Sequence, residues 1–350
     1  MPPKFIKYKR AIDGYLQTLL SEYALRLSCI NRWGGDIVDR LSTFVSNGKT
    51  IRGGLVLFAA EAYGKKGSAD ALRVACALEV IHSGLLIHDD IIDQDRTRRN
   101  ARTLYVQYED LATELKIENR IPFGRGMAIC IGDVTFFLAI ELISTLADKN
   151  NSQVIMHTLS QEYIFVCLAQ MQDVAFGFSR TIPTEADILS VYRYKTARYT
   201  FSMPLMVGAM LARAPKAEIQ VLEKLGEEMG ILFQLQDDML NLYGLTRKTG
   251  KPVGSDIREG KKTLVYLYLY NHASAAERKK LDMLFGGKKL DNAATYIYEL
   301  LTKYHIREFV KEKSQKLATS SRTYIDKLHI DEKYAAGLRD TITYIMNRGE

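Results

Sequence analysis

The sequence predicts an all-α fold, and three observations carry that prediction. Apolar residues recur at threes and fours through most of the chain, proline is scarce, and no stretch alternates with period two between hairpin turns. Only 7 of the 350 residues are proline, so few periodic stretches are broken. From Ala71 to Ile92 the repeat is carried by Leu72, Ala75, Cys76, Leu78, Ile81, Leu85 and Ile92. Arg125 to Ala147, Ser152 to Phe178, Ala186 to Ala212 and Ala217 to Tyr243 repeat it. Arg307 to Lys327 and Tyr334 to Asn347 are amphipathic in the same way. Thr184 reads as a helix cap, with Asp187 three residues on. Lys116 to Gly126, with Pro122, Gly124 and Gly126, reads as a loop, and Gly244 to Gly260 more strongly so. Neither has the length or composition of a linker, and no short repeat is present. Residues 1–350 are therefore expected to form one large antiparallel helical bundle.

Composition excludes several classes. Apolar residues are 47% and charged residues 25%, which is globular rather than disordered. The net charge of +7 is spread out, with no basic run of the kind that marks a nucleic-acid tail. Acidic small molecules remain a partner class, and nucleic acid is not expected. Cys29, Cys76, Cys130 and Cys167 are far apart and form no CxxC pair, so buried reduced thiols are expected. The N-terminus lacks a signal peptide's apolar core. The most apolar stretch, Met127 to Ile143, carries Asp133 in its middle, so no membrane span is expected and the protein reads as cytoplasmic.

The sharpest feature is His88-Asp89-Asp90-Ile91-Ile92-Asp93-Gln94-Asp95, at the end of an apolar helix. On a helix Asp89 and Asp93 share a face, with Cβ atoms roughly 5–6 Å apart. Two carboxylates so close repel unless a cation lies between them. Mg²⁺, which is held by one or two carboxylates plus substrate phosphates, fits. Asp90 is about 100° round the helix and a poorer ligand. Phe233-Gln234-Leu235-Gln236-Asp237-Asp238-Met239-Leu240-Asn241 repeats the pattern, with Gln234, Asp237 and Asn241 on one face. Basic residues accompany both: Lys49 and Arg52, Arg98 and Arg99, Lys195, Lys251 and Lys261. Arginine suits bidentate phosphate recognition and lysine acts as a point charge.

Taken in order, these motifs resemble the trans-isoprenyl diphosphate synthase family. Gly48-Lys49-Thr50-Ile51-Arg52-Gly53 looks like its GKRLRP, and Asp89 to Arg99 like DDxxD followed by RR, with Thr103 as the downstream Thr. Gly132-Asp133, Gln170 with Asp173, and Lys195-Thr196 look like its GD, GQxxD and KT. Gly230 to Asn241 looks like GxxFQxxDDxLD, and Gly250 to Lys261 like GKPxGxDxxxGK. The match spans residues 48 to 264. Asn241 departs from the third Asp of the second motif, Asn100 and Ala169 stand for glycines, and Thr50 and Gly53 stand for Arg and Pro.

The resemblance implies an isoprenoid-synthase helical bundle around a central active-site cavity. It also implies a prenyltransferase that joins isopentenyl diphosphate head-to-tail to an allylic diphosphate. Asp89 and Asp93 would hold two Mg²⁺ and Asp237 a third, all on the allylic diphosphate, which Arg98, Lys195 and Lys251 would also hold. Lys49, Arg52, His82 and Arg99 would hold isopentenyl diphosphate. Thr196 and Gln234 would stabilise the allylic cation, and Gln170 and Lys261 would complete the substrate contacts. A homodimer is implied. The product is expected to be geranylgeranyl diphosphate, with farnesyl or longer products as alternatives. Gly84 leaves the tunnel open beside Leu85, so Ile81, Phe136 or Phe137 would form its floor. Two rivals are a class I terpene cyclase, which has no use for the isopentenyl diphosphate set, and a non-catalytic regulatory subunit, favoured only by Asn241.

Overall fold

In a computed structural model, residues 3–243, 257, 259–285 and 293–347 are described. Their contacts cluster into two compact units. The first holds Met1–His157 and Met206–Ala214, the second Thr158–Leu205 and Pro215–Glu350.

The first unit begins with α1 (Pro3–Ser28), α2 (Trp33–Ser46) and α3 (Ile51–Ala62). The periodicity argument did not single out α1, yet Phe5, Tyr8, Ile12, Leu16 and Leu20 recur at threes and fours and are all buried. Next come α4 (Ala69–Ile92), a hairpin of β1 (Thr97–Arg98) with β2 (Ala101–Arg102), α5 (Leu104–Glu114) and α6 (Arg120–Ser144). Helix α4 starts under Ser68, whose side chain accepts from Ala71 N–H at 3.2 Å. It packs on α3 and α6, and α5 packs on α6. Helix α7 (Lys149–Phe178) begins in this unit and ends in the second.

The second unit continues through α8 (Glu185–Val191), a π-helix (Tyr192–Ser202) and the start of α9 (Met203–Leu211). It then holds α10 (Lys216–Tyr243), α11 (Leu264–His272), α12 (Ala275–Leu284), α13 (Ala293–Lys303), α14 (Ile306–Ile325) and α15 (Glu332–Met346). Thr184 caps α8 in a reciprocal box with Asp187, as expected. Helix α10 packs on the π-helix, α14 and α15. The fold is all-α, and the hairpin is the only sheet among the described residues.

Two expectations are corrected. Lys116 to Gly126 is not a loop throughout, because α6 starts at Arg120. Pro122 sits in the first turn, where its missing N–H costs nothing. Gly124 is a packing glycine, since a Cβ there would lie 2.5 Å from the Tyr105 carbonyl. Of the cysteines only Cys76 is buried, while Cys29, Cys130 and Cys167 are exposed free thiols. By length and hydropathy alone α4 and α6 could each cross a membrane. A core helix passes the same test, and α4 is one, with 67% of its most apolar window buried.

Candidate active site

The first aspartate motif is shaped by how α4 stops. Asp93 N–H donates to the Asp89 carbonyl at 2.8 Å, and Asp95 N–H reaches back to the Asp90 carbonyl at 2.9 Å. Gln94 between them takes φ +56°, so this is a Schellman stop with Gln in the left-handed position. Asp89 and Asp93 are left partly exposed, one turn apart, while Asp90 and Asp95 are buried. The chain then reverses through Arg99 (φ +52°) and Asn100 (φ +63°). Two successive positive φ values make a type I′ hairpin turn, which Asn tolerates where the family has Gly. The hairpin returns Arg98 to the motif. Its Nε donates to Asp90 Oδ1 at 2.5 Å, and Asp89 and Asp95 lie 3.4 and 3.7 Å away. Burial would lower the Arg98 pKa, but Asp90 and Asp89 outweigh it and raise it.

The adjacent turn of α4 faces a cationic cluster. Burial, then Arg52, Arg99 and Arg98, push the His82 pKa well below its usual value. Arg52 is buried, and Arg99 donates to the Phe44 carbonyl at 3.2 Å. Glu79, one turn before His82, is buried and accepts Gly53 N–H at 2.7 Å. That bond explains Gly53. The family's proline has no N–H to give, and a Cβ at 53 would lie 2.8 Å from the Ala75 carbonyl. Thr50 is buried in a left-handed conformation, φ +48°, rare for a β-branched residue. It starts α3, so Lys49 and Arg52 flank a strained turn.

Gly84 packs against α6. A Cβ there would lie 2.0 Å from Thr135 Oγ1 and 2.9 Å from the Gly132 carbonyl, so the glycine lets α4 and α6 touch. Phe136 is its neighbour on α6, at 3.0 Å from that Cβ, whereas Phe137 is 70% exposed and turned outward. Ile81 is buried and Leu85 partly so. Gly132 makes room for His88, whose ring lies edge-on to Phe136 with Nε2 3.7 Å from Asp133.

In the second unit Lys195 and Thr196 lie on the π-helix, a geometry that often marks functional segments. Gly226 and Gly230 of α10 let it approach backbone to backbone. A Cβ at 230 would lie 2.2 Å from Ala197 Cα, and one at 226 2.4 Å from Ser202 Cα. Lys195 is ion-paired with Asp173 of the GQxxD motif. Thr196 donates to Gln234 Oε1 at 2.8 Å. Gln170, Asp237 and Asn241 are partly exposed, and Asp238 is buried. Lys261 pairs with Glu259 at 2.7 Å. Lys251 lies outside the described residues.

Two arrangements were not foreseen. Arg198 sits among Glu162, Glu223 and Glu227, at 2.5 to 2.7 Å. Burial would lower its pKa, but hydrogen bonds and charge from Glu162 and Glu223 raise it. Tyr192 donates to buried Asp238. The signal for the first was an Arg one turn after Lys195, on a helix facing Glu223 and Glu227, four apart on α10.

The polyprenyl synthetase family matches residues 37–301. The chain belongs to that family. Members are transferases, and the prenyltransferase expected from the ordered motifs stands. The chain is 34% identical over 221 residues to a short chain isoprenyl diphosphate synthase of Methanocaldococcus jannaschii, covering 63% of this chain and 62% of that relative. It is 32% identical over 267 residues to a geranylgeranyl diphosphate synthase of Mycobacterium tuberculosis, covering 76% of this chain and 69% of that protein. Its fold resembles a Corynebacterium glutamicum geranylgeranyl pyrophosphate synthase solved with isoprenyl diphosphate and magnesium. The TM-score is 0.92 at 29% identity, covering 98% of this chain and 99% of that one.

Proposed function

We propose that this protein joins isopentenyl diphosphate to an allylic diphosphate and releases geranylgeranyl diphosphate. The observation that carries the reading is the layout of α4: Asp89 and Asp93 stand partly exposed one turn apart with Arg98 returned beside them, and two turns earlier His82, its pKa lowered by burial and then by Arg52, Arg99 and Arg98, lies among guanidiniums. A neutral imidazole among guanidiniums suits a polyanion, whose arrival supplies the missing negative charge. The aspartate pair one helix segment away suits a second diphosphate through divalent cations. Two diphosphate sites of different chemistry on one helix are what condensation of two diphosphates needs.

In this reading Lys49, Arg52, His82 and Arg99 hold isopentenyl diphosphate. Asp89 and Asp93 offer hard oxygen donors one turn apart at a helix end, a donor set that fits Mg²⁺. The resemblance adds a third ion at Asp237. Bound Mg²⁺ would supply Lewis-acid charge for the departing diphosphate. The chain's own residues do the rest. Arg98 is pre-positioned by Asp90, so it meets the leaving group without reorganising. The resemblance adds Lys195, Gln170, Lys251 and Lys261 to the diphosphate contacts. Thr196 and Gln234 turn oxygen dipoles on the allylic cation, and water exclusion keeps that cation from being quenched. We keep the cytoplasmic reading and the homodimer. Ile129, Phe137 and Ile140 are exposed along one stripe of α6, which a second copy would cover.

The test is one assay. Purified protein is given labelled isopentenyl diphosphate, each of three allylic primers and Mg²⁺, and product lengths are measured beside mass by light scattering. Twenty-carbon product from a dimer is expected. No product, or product only from a terpene-cyclase reaction without isopentenyl diphosphate, sinks the reading. Leu85, on the Asp89 face of α4, replaces Gly84 as the length probe: Leu85→Phe should shorten the product, and an unchanged length would remove Leu85 from the tunnel.

A further inference from the structure

A buried hydrogen-bond chain runs through the second unit to Thr196. Leu264 N–H donates to the Tyr192 hydroxyl oxygen at 3.0 Å, and that hydroxyl donates to Asp238 Oδ2. Gln234 Nε2 donates to Asp238 Oδ1 at 2.8 Å, and Thr196 Oγ1 donates to Gln234 Oε1 at 2.8 Å. Tyr192 and Asp238 are 5% and 2% exposed. The direction of every bond is forced. A backbone N–H only donates, so the Tyr192 oxygen accepts it and its hydrogen passes on to Asp238. Asp238 Oδ1 accepts from the Gln234 NH₂, which turns the Gln234 carbonyl to Thr196. The single hydroxyl hydrogen of Thr196 is thereby committed to Gln234, and its lone pairs point elsewhere.

We propose that Asp238, seated by the Tyr192 hydroxyl, is a positioning residue that fixes this polarity, so that Thr196 offers lone pairs, not an O–H dipole, to positive charge developing on the allylic carbon. The inference rests on the prenyl-transfer reading above. The local build supports it. Tyr192 opens the π-helix that carries Thr196, Gln234 and Asp238 are one turn apart on α10, and the Gly230–Ala197 approach holds the two backbones together. Asp238 therefore differs from its neighbour Asp237, which is partly exposed and assigned to metal.

Asp238→Asn keeps the shape and loses the forced direction. Its NH₂ can face Gln234, whose amide then reverses and makes Thr196 accept, turning the Thr196 hydrogen outward. The expected result is a kcat loss of roughly 100-fold, with the KM of both diphosphates, the Mg²⁺ dependence and the Mg²⁺-induced rise of the thermal midpoint all near wild type. Combining Asp238→Asn with Gln234→Glu restores an acceptor opposite Thr196 and should recover about tenfold or more of kcat. An unchanged kcat, a loss carried by the Mg²⁺ dependence, or a folded double variant no better than the single one would overturn the proposal. If Asp238→Asn does not fold, Asp238→Ala decides, because it leaves the Gln234 amide free to turn: a loss in kcat alone supports the proposal, and unchanged kcat overturns it. Wild-type protein that makes no prenyl product overturns the parent reading, and this is seen before any variant is compared.

Discussion

The two aspartate motifs put the same sequence, a DD pair near a helix end, to two uses. In both, the second Asp is buried and held inside the protein, while the first stays partly exposed. On α4 the buried Asp90 holds a cation, Arg98, brought back by a hairpin. On α10 the buried Asp238 accepts from two neutral donors, Tyr192 and Gln234, in the bonds described. The first motif therefore fixes a positive charge beside the partly exposed Asp89 and Asp93 face proposed for metal. The second fixes the direction of hydroxyl and amide dipoles. A DD pair in sequence states that one carboxylate faces outward, but only the packing says what the other one orders.

The largest effect that would break the comparison is loss of the outward-facing residues. Asp89→Ala or Asp93→Ala is expected to lower turnover by several orders of magnitude with an unchanged circular dichroism spectrum. Removing a metal-bound carboxylate takes away several kcal/mol of charge stabilisation, at about 1.4 kcal/mol per tenfold in rate. Near-wild-type turnover in either variant would remove the metal role from that residue.

Next is the buried partner. Asp90→Asn keeps the volume but leaves Arg98 with its weaker contacts to Asp89 and Asp95. Breaking one side of a buried ion pair costs about 3 kcal/mol or more where no other partner remains. Two remain here, so about 1–2 kcal/mol is expected in urea unfolding, with a raised KM for the allylic substrate. Stability equal to wild type would mean that the Asp90–Arg98 bond contributes nothing net.

The cationic cluster gives a pH test with a definite sign. His82 has its folded pKa depressed by burial and three arginines. Below about pH 6.5 the unfolded chain takes up a proton that folded His82 refuses, so the contribution is present above that pH and lost as pH falls below it. The slope for one such proton is at most about 1.4 kcal/mol per pH unit. The thermal midpoint of wild type should fall more steeply from pH 6.5 to 5 than that of His82→Gln. Parallel curves would show that His82 protonates freely in the folded protein.

Much of this was legible in sequence because it rests on spacing. The helical repeats place α4, α6, α7, α10, α14 and α15, and Asp89 with Asp93 shares a face because four residues make one turn. What was not legible rests on what each residue touches. Gly84, Gly124, Gly132 and Gly230 look alike in sequence as gaps or breaks, yet each lies where a Cβ would strike a neighbouring helix or side chain. At Gly84 the neighbours are Thr135, Gly132 and Phe136 of α6, which no spacing in sequence announces. The 192–202 stretch carries the same repeat as an α-helix, and neither its π geometry nor its close packing on Gly226 and Gly230 is announced by that repeat. Arg98 was assigned to phosphate from its motif, but its three aspartate neighbours are set by a hairpin that no periodicity announces.

The smallest effect sharpens the contrast at Asn241. It lies one turn beyond Asp237 and is partly exposed, where the family's third Asp would stand. Its carbonyl can meet a cation or a cation's water but brings no charge. Asn241→Asp adds a carboxylate on the face of Asp237. Without Mg²⁺ the two like charges one turn apart on a helix repel, by a few tenths of a kcal/mol where exposed. With Mg²⁺ the same charge attracts the ion. The variant should therefore have a slightly lower thermal midpoint than wild type in EDTA, and the gap should close or reverse as Mg²⁺ is added. Half-saturating Mg²⁺ in the assay should stay equal or fall by up to about tenfold, which corresponds to about 1.4 kcal/mol. A higher Mg²⁺ requirement in a folded variant would mean that position 241 does not face the ion, and that the metal-facing part of the second motif ends at Asp237.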